Sequence, residues 1–456
     1  MKKFFTLLLA VISTMTAFAQ TEPAIELQAE VDGNTRTLTI GLGVEGTVQI
    51  DWGNGEKVTS EVIPAFSGNN WVNVSGTVSG DGKVKIYGDN IVYFECSSRV
   101  DGAQVLSLDV TKATTLKDLT AYTNKLASID LTKNTELEKL TIYSNQLTSI
   151  DISKCTKLTT LDITNNLLTT IDITKNQALQ TLKIGQNKLA GELDLSTNPT
   201  IKSVYALTNE LTSVKIGNNT ASKPYFSFNY NKLTSIDASG INDAKNAILF
   251  LIGNQLTEIK LPATQMKSLN ITKNNFTLAT LPAPSVAKFF TYAPQNDYVI
   301  AESYKVGDVL DLSSQTSATL NTQFAVYKSD KTALTEGTDY TVADGKITFL
   351  TAQEAVYVTM SSALYKFTGT SIYKTTVTKV EGSTGINAVT AQGVKVSTAG
   401  NEISISGLSQ GDAVTVTNLG GAVVANFHAN SANAHVQAAK GLYIVSINGK
   451  AIKVAL

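Results

Sequence analysis

Histidine and cysteine are nearly absent from this chain. Only two of its 456 residues are histidine and only two are cysteine. The histidines, His428 and His435, both lie close to the C-terminus. The sequence also contains no H-E-x-x-H motif, no nucleophile elbow and no phosphate-binding loop, which are common signatures of metalloproteases, hydrolases and nucleotide enzymes. We therefore predict that the protein is not an enzyme and has no catalytic residue, no metal site and no cofactor.

A strong net charge and a long internal apolar run are also missing. The chain has 37 basic and 38 acidic residues, for a formal net charge of -1. Proteins that bind nucleic acid usually carry a clear excess of positive charge, so we predict no nucleic-acid partner. After the N-terminus, no apolar run approaches the roughly 18 residues that a membrane-spanning helix requires. The mature chain is therefore predicted to have no transmembrane segment.

The N-terminus has the three parts of a secretory signal peptide. Lys2 and Lys3 precede an apolar run over residues 4–12, and small residues follow at Ala17 and Ala19. This order predicts cleavage between Ala19 and Gln20, with residues 1–19 removed. Because no cysteine follows the cleavage position, we expect no lipoprotein anchor. The mature protein is predicted to be secreted or exposed at the cell surface.

A repeated motif with a period of about 21 residues extends from Leu116 to Phe276. Its template is L-x-x-L-x-I-x-x-N-x-L-x-x-I-D-I. The first three copies are Leu116, Leu119, Ala121, Asn124, Leu126, Ile129 and Leu131; Leu137, Leu140, Ile142, Asn145, Leu147, Ile150 and Ile152; and Leu158, Leu161, Ile163, Asn166, Leu168, Ile171 and Ile173. The motif resembles the leucine-rich-repeat family. That resemblance implies a solenoid with a concave binding surface for a protein, peptide or glycan.

The same pattern has a physical interpretation of its own. Apolar residues alternate with polar ones at the start of each repeat, which indicates a half-buried strand, and stacked strands form a parallel sheet. An asparagine recurs where each coil turns inward, and a buried amide must find hydrogen-bond partners there. These asparagines predict a structural ladder formed by Asn124, Asn145, Asn166, Asn187, Asn209, Asn231, Asn254 and Asn274.

The two cysteines fall in this framework. Cys96 and Cys155 belong to coils more than one turn apart, and a disulfide needs Cα atoms within about 7 Å. We therefore predict two free and mostly buried thiols.

The side chains that flank the core positions of each strand should point outward from the concave sheet. Several of them are large and apolar or aromatic, and exposed patches of this kind mark interaction sites. The candidate ligand-binding residues are Tyr122, Tyr143, Tyr205, Leu207, Tyr225, Tyr230 and Phe250. The alternative is that these residues pack against a neighbouring domain or stabilise the sheet by cross-strand contacts.

Aspartates recur on the other flank of the repeats. They are Asp109, Asp130, Asp151, Asp172, Asp194 and Asp237, and lysines follow three residues later at Lys112, Lys133, Lys154 and Lys175. Stacked carboxylates can bind Ca²⁺, but the lysines favour an ion-paired, solvated edge. On the concave face, Asp118 and Asp162 leave open a paired acid and base of the kind used by glycan-active enzymes.

Short alternating strands flank the repeats. Residues 20–90 are predicted to form an N-terminal β-module and cap, with 91–282 as the solenoid. Residues 51–55, D-W-G-N-G, resemble the D-W-G-D-G signature of the polycystic-kidney-disease-type β-sandwich. Asp81-Gly82 predicts a hairpin between the strands on either side. Residues 283–382 predict an immunoglobulin-like sandwich, with a tight turn at Asp344-Gly345.

The last segment, 383–456, carries a second resemblance. Residues 414–421 and 440–445, followed by a hairpin with Asn448-Gly449 at its turn, resemble the C-terminal sorting domain of proteins exported by the type IX secretion system of Bacteroidetes. Within this motif the residues that match are Gly441, Tyr443, Val445, Gly449 and Lys453. The resemblance implies transport across the outer membrane, followed by release or attachment to the cell surface.

The predicted fold is therefore mainly β. A leucine-rich-repeat solenoid with a parallel sheet is flanked by an N-terminal β-module and C-terminal immunoglobulin-like sandwich domains. We predict a secreted or cell-surface binding protein that recognises an extracellular protein, peptide or glycan, with attachment to the outer-membrane surface as an option. The alternatives are a structural surface protein without a specific ligand and a glycan-active enzyme.

Overall fold

The computed structural model describes residues 22–33, 35–66, 70–98, 104–382, 389–391 and 393–456. The predicted signal peptide, with Ala19 and Gln20, lies outside these residues. The chain forms two compact units, Met1–Glu210 with Asn218–Ala221, and Leu211–Gly217 with Ser222–Leu456. Helical structure in the described ranges consists of the short 3₁₀ turns Ala244–Asn246, Pro284–Val286, Ser313–Gln315 and Gly369–Ser371. None of these is long or apolar enough to cross a membrane, and the predicted mainly β class is confirmed.

Unit 1 is built from strands. They are β1 Ile25–Ala29, β2 Thr35–Leu42, β3 Gln49–Asp51, β4 Lys57–Thr59, β5 Val72–Thr77, β6 Lys83–Tyr87, β7 Ile91–Glu95, β8 Val105–Asp109, β9 Asp118–Thr120, β10 Lys139–Thr141, β11 Thr160–Asp162, β12 Thr181–Lys183, β13 Ala190–Asp194 and β14 Ser203–Tyr205. One antiparallel sheet has the order β4-β3-β6-β1-β8. In a second sheet, β5-β2-β7 is antiparallel and β7-β9-β10-β11-β12-β14 is parallel.

The hairpin predicted at Asp81-Gly82 in the N-terminal module is not formed. Strands β5 and β6 flank Asp81-Gly82, yet β5 pairs with β2 whereas β6 pairs with β1 and β3. The turn therefore links two sheets and does not close a hairpin. The D-W-G-N-G segment does form a tight turn, because the Oδ1 of Asp51 accepts hydrogen bonds from the backbone N–H groups of Gly53 and Gly55, both at 2.9 Å.

The coils of unit 1 are held together by the predicted asparagine ladder. The Nδ2 of Asn145 donates to the carbonyl of Ala121 in the preceding coil at 2.9 Å and to that of Ile142 in its own coil at 3.1 Å. Its Oδ1 accepts from the N–H of Leu126 at 3.0 Å. The same pattern recurs at Asn166, and it satisfies buried backbone groups that would otherwise have no partner. The structural role predicted for these asparagines is confirmed.

The ladder begins against a buried arginine. The side chain of Arg36, on β2, is only 4% exposed. Its Nη2 donates to the carbonyl of Cys96 at 3.1 Å and to the Oδ1 of Asn124 at 3.4 Å. Asn124 also donates to the Cys96 carbonyl, so the guanidinium supplies the second donor that an asparagine of the same coil supplies to the Ala121 carbonyl. Burial lowers the pKa of Arg36.

A second ladder, not predicted from the repeat template, follows the opposite turn of the coils. The Nδ2 of Asn134 donates to the carbonyls of Val110 and Ala113 at 2.9 and 3.0 Å. Asn176 and Asn198 repeat this arrangement in later coils. These asparagines are separated by 42 and 22 residues, which is two repeat periods and one, and this spacing was a signal available in the sequence. Cys155 occupies the position between Asn134 and Asn176, and both cysteines are free and buried as predicted.

Unit 2 also consists of strands. They are β15 Glu210–Lys215, which starts one residue before the boundary, β16 Tyr225–Ser227, β17 Ile248–Phe250, β18 Met266–Asn270, β19 Ala287–Thr291, β20 Ser303–Lys305, β21 Val309–Asp311, β22 Gln323–Lys328, β23 Tyr340–Ala343, β24 Lys346–Phe349, β25 Gln353–Ser361, β26 Thr378–Glu381, β27 Val389–Ala391, β28 Val394–Ala399, β29 Glu402–Ser406, β30 Ala413–Asn418, β31 Val423–His428, β32 Asn433–Gln437, β33 Leu442–Ile447 and β34 Lys450–Ala455.

Strands β16, β17, β18 and β19 of unit 2 are parallel neighbours. The last of them, β19, lies beyond residue 282, where the sequence pattern ends. Gln295 takes the ladder position in this coil, and its Nε2 donates to the carbonyl of Ile271 at 2.9 Å. The glutamine amide donates to the backbone of the preceding coil as the asparagines do. The coiled structure therefore continues beyond the last residue that matches the repeat template.

Two β-sandwiches follow in unit 2. The first has a sheet of four strands, β20-β26-β25-β22, in which β20 and β26 are parallel, and a sheet of three strands, β21-β24-β23. Asp344 and Gly345 form its predicted tight turn, with φ of 50° and 75°. The second has sheets β27-β28-β29-β32 and β31-β30-β33-β34. Its final hairpin, β33 with β34, turns at Asn448-Gly449 as predicted, with φ of 48° and 79°.

Candidate functional site

The outward side chains of the parallel strands β7, β9, β10, β11, β12 and β14 in unit 1 form a surface that we call the sheet face. Register pairs place Tyr93 beside Asp118, Asp118 beside Lys139, and Lys139 beside Thr160. The inward residues of the same strands, such as Leu119 and Leu140, are fully buried. The alternation of strand side chains therefore separates this face from the core.

Two of the predicted ligand-binding residues form a stacked pair on the sheet face. The rings of Tyr122 and Tyr143 lie with centroids 4.6 Å apart and planes 2° from parallel. Both side chains are half-buried. Burial, followed by the neighbouring Tyr122, raises the pKa of Tyr143. The pair presents a rigid aromatic edge of the kind that anchors partners.

Ion pairs flank this aromatic pair. The Nζ of Lys139 lies 3.2 Å from the Oδ2 of Asp118, and the Nζ of Lys183 lies 3.3 Å from the Oδ2 of Asp162. Burial raises the pKa of Asp118, although Lys139 acts in the opposite direction. Each carboxylate proposed for the acid and base alternative thus has its own lysine, and β10 lies between their strands.

The other predicted ligand-binding residues divide between the two units. Tyr205 and Leu207 lie in unit 1, where Leu207 lies close over Gly185: a Cβ built on Gly185 would be 3.3 Å from its side chain. Tyr225, Tyr230 and Phe250 lie in unit 2. There the rings of Tyr225 and Phe250 meet edge to face, with centroids 5.7 Å apart. The Tyr230 side chain is 52% exposed.

An aromatic cluster that was not predicted from the sequence lies at the N-terminal end of the sheet face. The ring of Tyr93 stacks on Trp71, with centroids 5.3 Å apart, and on Phe66, at 5.6 Å. The Tyr93 hydroxyl donates to the Oε2 of Glu95 at 2.9 Å. The register of β7 could have placed Tyr93 on this face, but nothing in the repeat pattern indicates Phe66 or Trp71.

The repeated aspartates Asp130, Asp151 and Asp172 of the opposite flank are exposed, as predicted for a solvated edge, but the ion pairs predicted for them with the lysines three residues later are not formed in the described part of the chain. The Oδ1 of Asp130 instead accepts from the N–H of Thr132 at 2.9 Å and from its hydroxyl at 2.7 Å. These bonds lower the pKa of Asp130. The aspartates close local turns because the backbone donor two residues ahead is nearer than a flexible lysine.

The C-terminal histidine does not form a catalytic triad. The Nδ1 of His435 lies 2.7 Å from the Oε1 of Glu402 and 3.1 Å from the hydroxyl of Ser404. A triad requires the acid and the nucleophile on opposite ring nitrogens, whereas here both contact the same one. Within the part of the chain that the structure describes, no group of three or more histidine, cysteine, aspartate or glutamate residues is arranged to hold a metal ion.

The residues of the predicted sorting motif lie in the last hairpin. Tyr443 and Val445 face the sandwich core, and the Tyr443 hydroxyl donates to the carbonyl of Ala439 at 2.7 Å. Gly441 exchanges two backbone hydrogen bonds with Leu456. Gly449 takes the positive φ of the turn and Lys453 is exposed on β34. Four of these five residues therefore have a direct role in folding the hairpin.

Comparison with known families gives two matches. Residues 135–176 match the family of leucine-rich repeats in two copies. Residues 383–456 match a family described as a domain of unknown function, DUF6383. No curated protein matches the chain.

Several solved structures are similar to the chain at low identity. The functional domain of InlJ from Listeria monocytogenes, which includes a cysteine ladder, is 19% identical with a TM-score of 0.42, over 64% of this chain and 67% of that one. A leucine-rich-repeat protein of Leptospira interrogans is 17% identical with a TM-score of 0.32, over 42% of this chain and 58% of that one. The leucine-rich effector protein YopM from Yersinia pestis is 16% identical with a TM-score of 0.31, over 42% of this chain and 57% of that one.

The chain thus spans less than two thirds of the Leptospira and Yersinia proteins. The family match falls on coils whose strands, buried leucines and asparagine ladder have the geometry described above. Stacked repeats of this kind create an extended concave surface. Residues 135–176 of this chain are therefore similar to two leucine-rich repeats, and the neighbouring coils repeat their geometry.

Proposed function

We propose that this protein is a secreted or surface-displayed binding protein that recognises an extracellular protein, peptide or glycan through its sheet face. The observation that carries the proposal is the Tyr122–Tyr143 stack, which stands half-exposed on a regular parallel sheet. A rigid aromatic pair can bury a large area in a partner at a small entropic cost, because its rotamers are already fixed.

The surroundings of the stack support recognition and not only packing. The pairs Asp118–Lys139 and Asp162–Lys183 stand beside it and supply both donors and acceptors at fixed positions. Interfaces typically combine a central aromatic anchor with a polar rim of this kind. Tyr205 and Leu207 are proposed as further contacts in unit 1, and Tyr225, Tyr230 and Phe250 are proposed as a separate candidate surface of unit 2.

We infer the cellular location from the N-terminal signal peptide and the C-terminal domain. The signal peptide at residues 1–19 provides export, and the C-terminal domain resembles a type IX sorting domain. This proposal extends to delivery at the external face of the outer membrane. It rests on the motif residues Gly441, Tyr443, Val445, Gly449 and Lys453 and on the hairpin that they form.

The binding proposal is tested with the mature full-length protein against arrays of extracellular proteins and glycans. A ligand found there should bind the double variant Tyr122→Ala, Tyr143→Ala at least about tenfold more weakly. The matched control is Lys133→Ala, an exposed substitution on the opposite flank, which should leave binding unchanged. A ligand that binds the two variants equally would contradict the proposed face.

A structural surface protein without a ligand remains the alternative. It is supported if no array component binds while the protein is folded, as judged by cooperative thermal unfolding. Under this alternative the tyrosine substitutions lower stability and have no other effect.

The proposed cellular location is tested by fractionating cells and measuring the mass of the mature protein. A surface or medium species that starts at Gln20 is the expected result, with or without the last domain. A full-length periplasmic species would contradict the proposed address and would place the partner inside the envelope.

A further inference from the structure

An open groove of about 800 Å³ lies on the first β-sandwich of unit 2. Its base is the outward face of β22 and β25, and the segment 367–374 borders it. Small-molecule sites typically have volumes of about 300 to 1,000 Å³, so the groove is large enough for a short oligomer. It lies outside the coils and is independent of the sheet face proposed above.

Two tyrosines form an aromatic wall in this groove. Tyr327 and Tyr357 are register partners on antiparallel strands, with ring centroids 5.8 Å apart and planes 17° from parallel. Their strand neighbours Val326 and Val358 are fully buried in the sandwich core. Because side chains alternate along a strand, both tyrosines project away from that core. Their next outward neighbours, Ala325 and Thr359, are small and leave the groove open.

The charged groups of the groove are lysines. The Nζ of Lys374 lies 5.0 Å from the centroid of the Tyr357 ring and 3.7 Å from the Oδ2 of Asp297. Lys331 is exposed at the neighbouring turn. Asp297 offsets one of these charges, and the residues that line the groove include no carboxylate. The groove therefore favours a ligand that carries negative charge as well as an apolar surface.

Part of the edge of β22 is already occupied by its own chain. The N–H of Lys328 donates to the carbonyl of Thr332, and the N–H of Leu334 donates to the carbonyl of Val326, both at 2.9 Å. A peptide cannot add to the sheet as a further strand beside the tyrosines, because the main-chain groups that it would need are used. Recognition there must come from side chains, which suits a ring with apolar C–H faces and hydroxyl groups.

We propose that this groove is a second binding site, which takes an acidic polysaccharide, a chain of sugars that carry carboxylate groups. The C–H face of a sugar ring packs against the aromatic wall of Tyr327 and Tyr357, beside the Lys374 ammonium that lies over the Tyr357 ring. The ammonium groups of Lys331 and Lys374 pair with the carboxylates, and Thr359 and Gln323 lie where they meet sugar hydroxyls. A surface protein with such a site can hold to acidic glycans while its coils remain available for another partner.

The test uses the mature full-length protein and a hexasaccharide of β-1,4-linked mannuronic acid, with binding measured by calorimetry. We expect saturable binding that weakens as salt concentration rises. The variants Tyr357→Ala and Lys331→Ala should each weaken it at least about fivefold, and Tyr357→Phe should retain it. Lys305→Ala, a matched loss of an exposed lysine on β20, should leave it unchanged.

Two further probes separate the sources of binding. The β-1,4-linked mannose hexasaccharide has the same rings without carboxylates and should bind at least about tenfold more weakly. Hexaglutamate carries the charge without the rings; equal binding of hexaglutamate would overturn the assignment to a sugar and favour an acidic peptide. The absence of binding, or binding that survives both groove variants, would overturn the site. The variant Tyr122→Ala, Tyr143→Ala should bind the mannuronate normally, so failure here is distinct from failure of the sheet-face proposal.

Discussion

The amide Nδ2 of Asn176 donates a hydrogen bond to the backbone carbonyl of Cys155 at 2.8 Å. Cys155 is itself the preceding member of this turn ladder, where Asn134, Asn176 and Asn198 all carry amides. Its thiol reaches the carbonyl of Leu131 only at 3.8 Å. One member of the ladder therefore lacks the strong donor that the others supply to the coil before them.

Replacement of Cys155 by asparagine should stabilise the protein. The new Nδ2 can donate to the carbonyls of Leu131 and Asn134, as Asn176 does to those of Ile152 and Cys155. The Oδ1 atoms of Asn134 and Asn176 are buried without a hydrogen-bond partner, and the Oδ1 of the new asparagine should be buried in the same way. The cost of burying this oxygen partly offsets the stability gained from the two new hydrogen bonds. We expect a gain of about 1 kcal/mol in the free energy of unfolding, measured with urea. Cys96→Asn is the matched control and should destabilise the protein, because Cys96 is no ladder position.

The two thiols should be unreactive in the folded protein. Burial raises the pKa of Cys96 to about 12 and that of Cys155 to about 11. At pH 8 both thiols are therefore protonated as well as covered, and the thiolate is the reactive form. Ellman's reagent should release almost no chromophore from the native protein and two equivalents after unfolding in guanidinium. Rapid labelling of the native protein would contradict the burial of these side chains.

Removal of one amide from the first ladder should be costly. Asn145→Ala leaves the N–H of Leu126 without its buried acceptor and deprives the Ala121 carbonyl of a donor. Because each unsatisfied buried group costs about 1 to 3 kcal/mol, we expect a loss of about 2 to 4 kcal/mol in the free energy of unfolding. The neighbouring Gln146 is exposed, and Gln146→Ala should change stability by less than about 0.5 kcal/mol. Similar effects of the two substitutions would contradict the ladder.

The repeated aspartates should make the protein sensitive to acid. Hydrogen bonds from Thr132, Ser153 and Thr174 lower the pKa values of Asp130, Asp151 and Asp172 in the folded state. A lowered folded pKa adds stability above the unfolded value, which is near 3.8 here, and that stability is lost as pH falls through the folded value. The triple variant with asparagine keeps the acceptor oxygen but cannot titrate. Its free energy of unfolding should therefore depend less on pH below about 4.

The corresponding alanine variant provides the control for this experiment. It removes the acceptor oxygens as well as the charges, so it should lose stability at neutral pH, whereas the asparagine variant should not. An acid dependence that is the same in the wild-type protein and the asparagine variant would show that other carboxylates control it.

The coils could be derived from the sequence because their contacts are local and periodic. Leu119, Asn124 and Leu126 recur at the same offsets, and each asparagine bonds to backbone only one coil away. A short window of sequence therefore contains both partners of each bond. The turns at Asp344-Gly345 and Asn448-Gly449 were predictable for the same reason, since a two-residue turn needs the positive φ that these residues tolerate.

Strand pairing and the aromatic surfaces were decided only by the tertiary structure, because they depend on residues far apart in the chain. Whether β5 pairs with β6 or with β2 depends on competition between whole strands, which the Asp81-Gly82 turn does not encode. The stack of Tyr93 on Phe66 and Trp71, and the groove that joins Tyr327, Tyr357 and Lys374, arise where separate segments meet. Gln295 could continue the ladder without matching its pattern because the backbone of the previous coil was already in place. The sequence thus determined the repeating unit, whereas packing between distant segments determined the surfaces at which this protein can meet its partners.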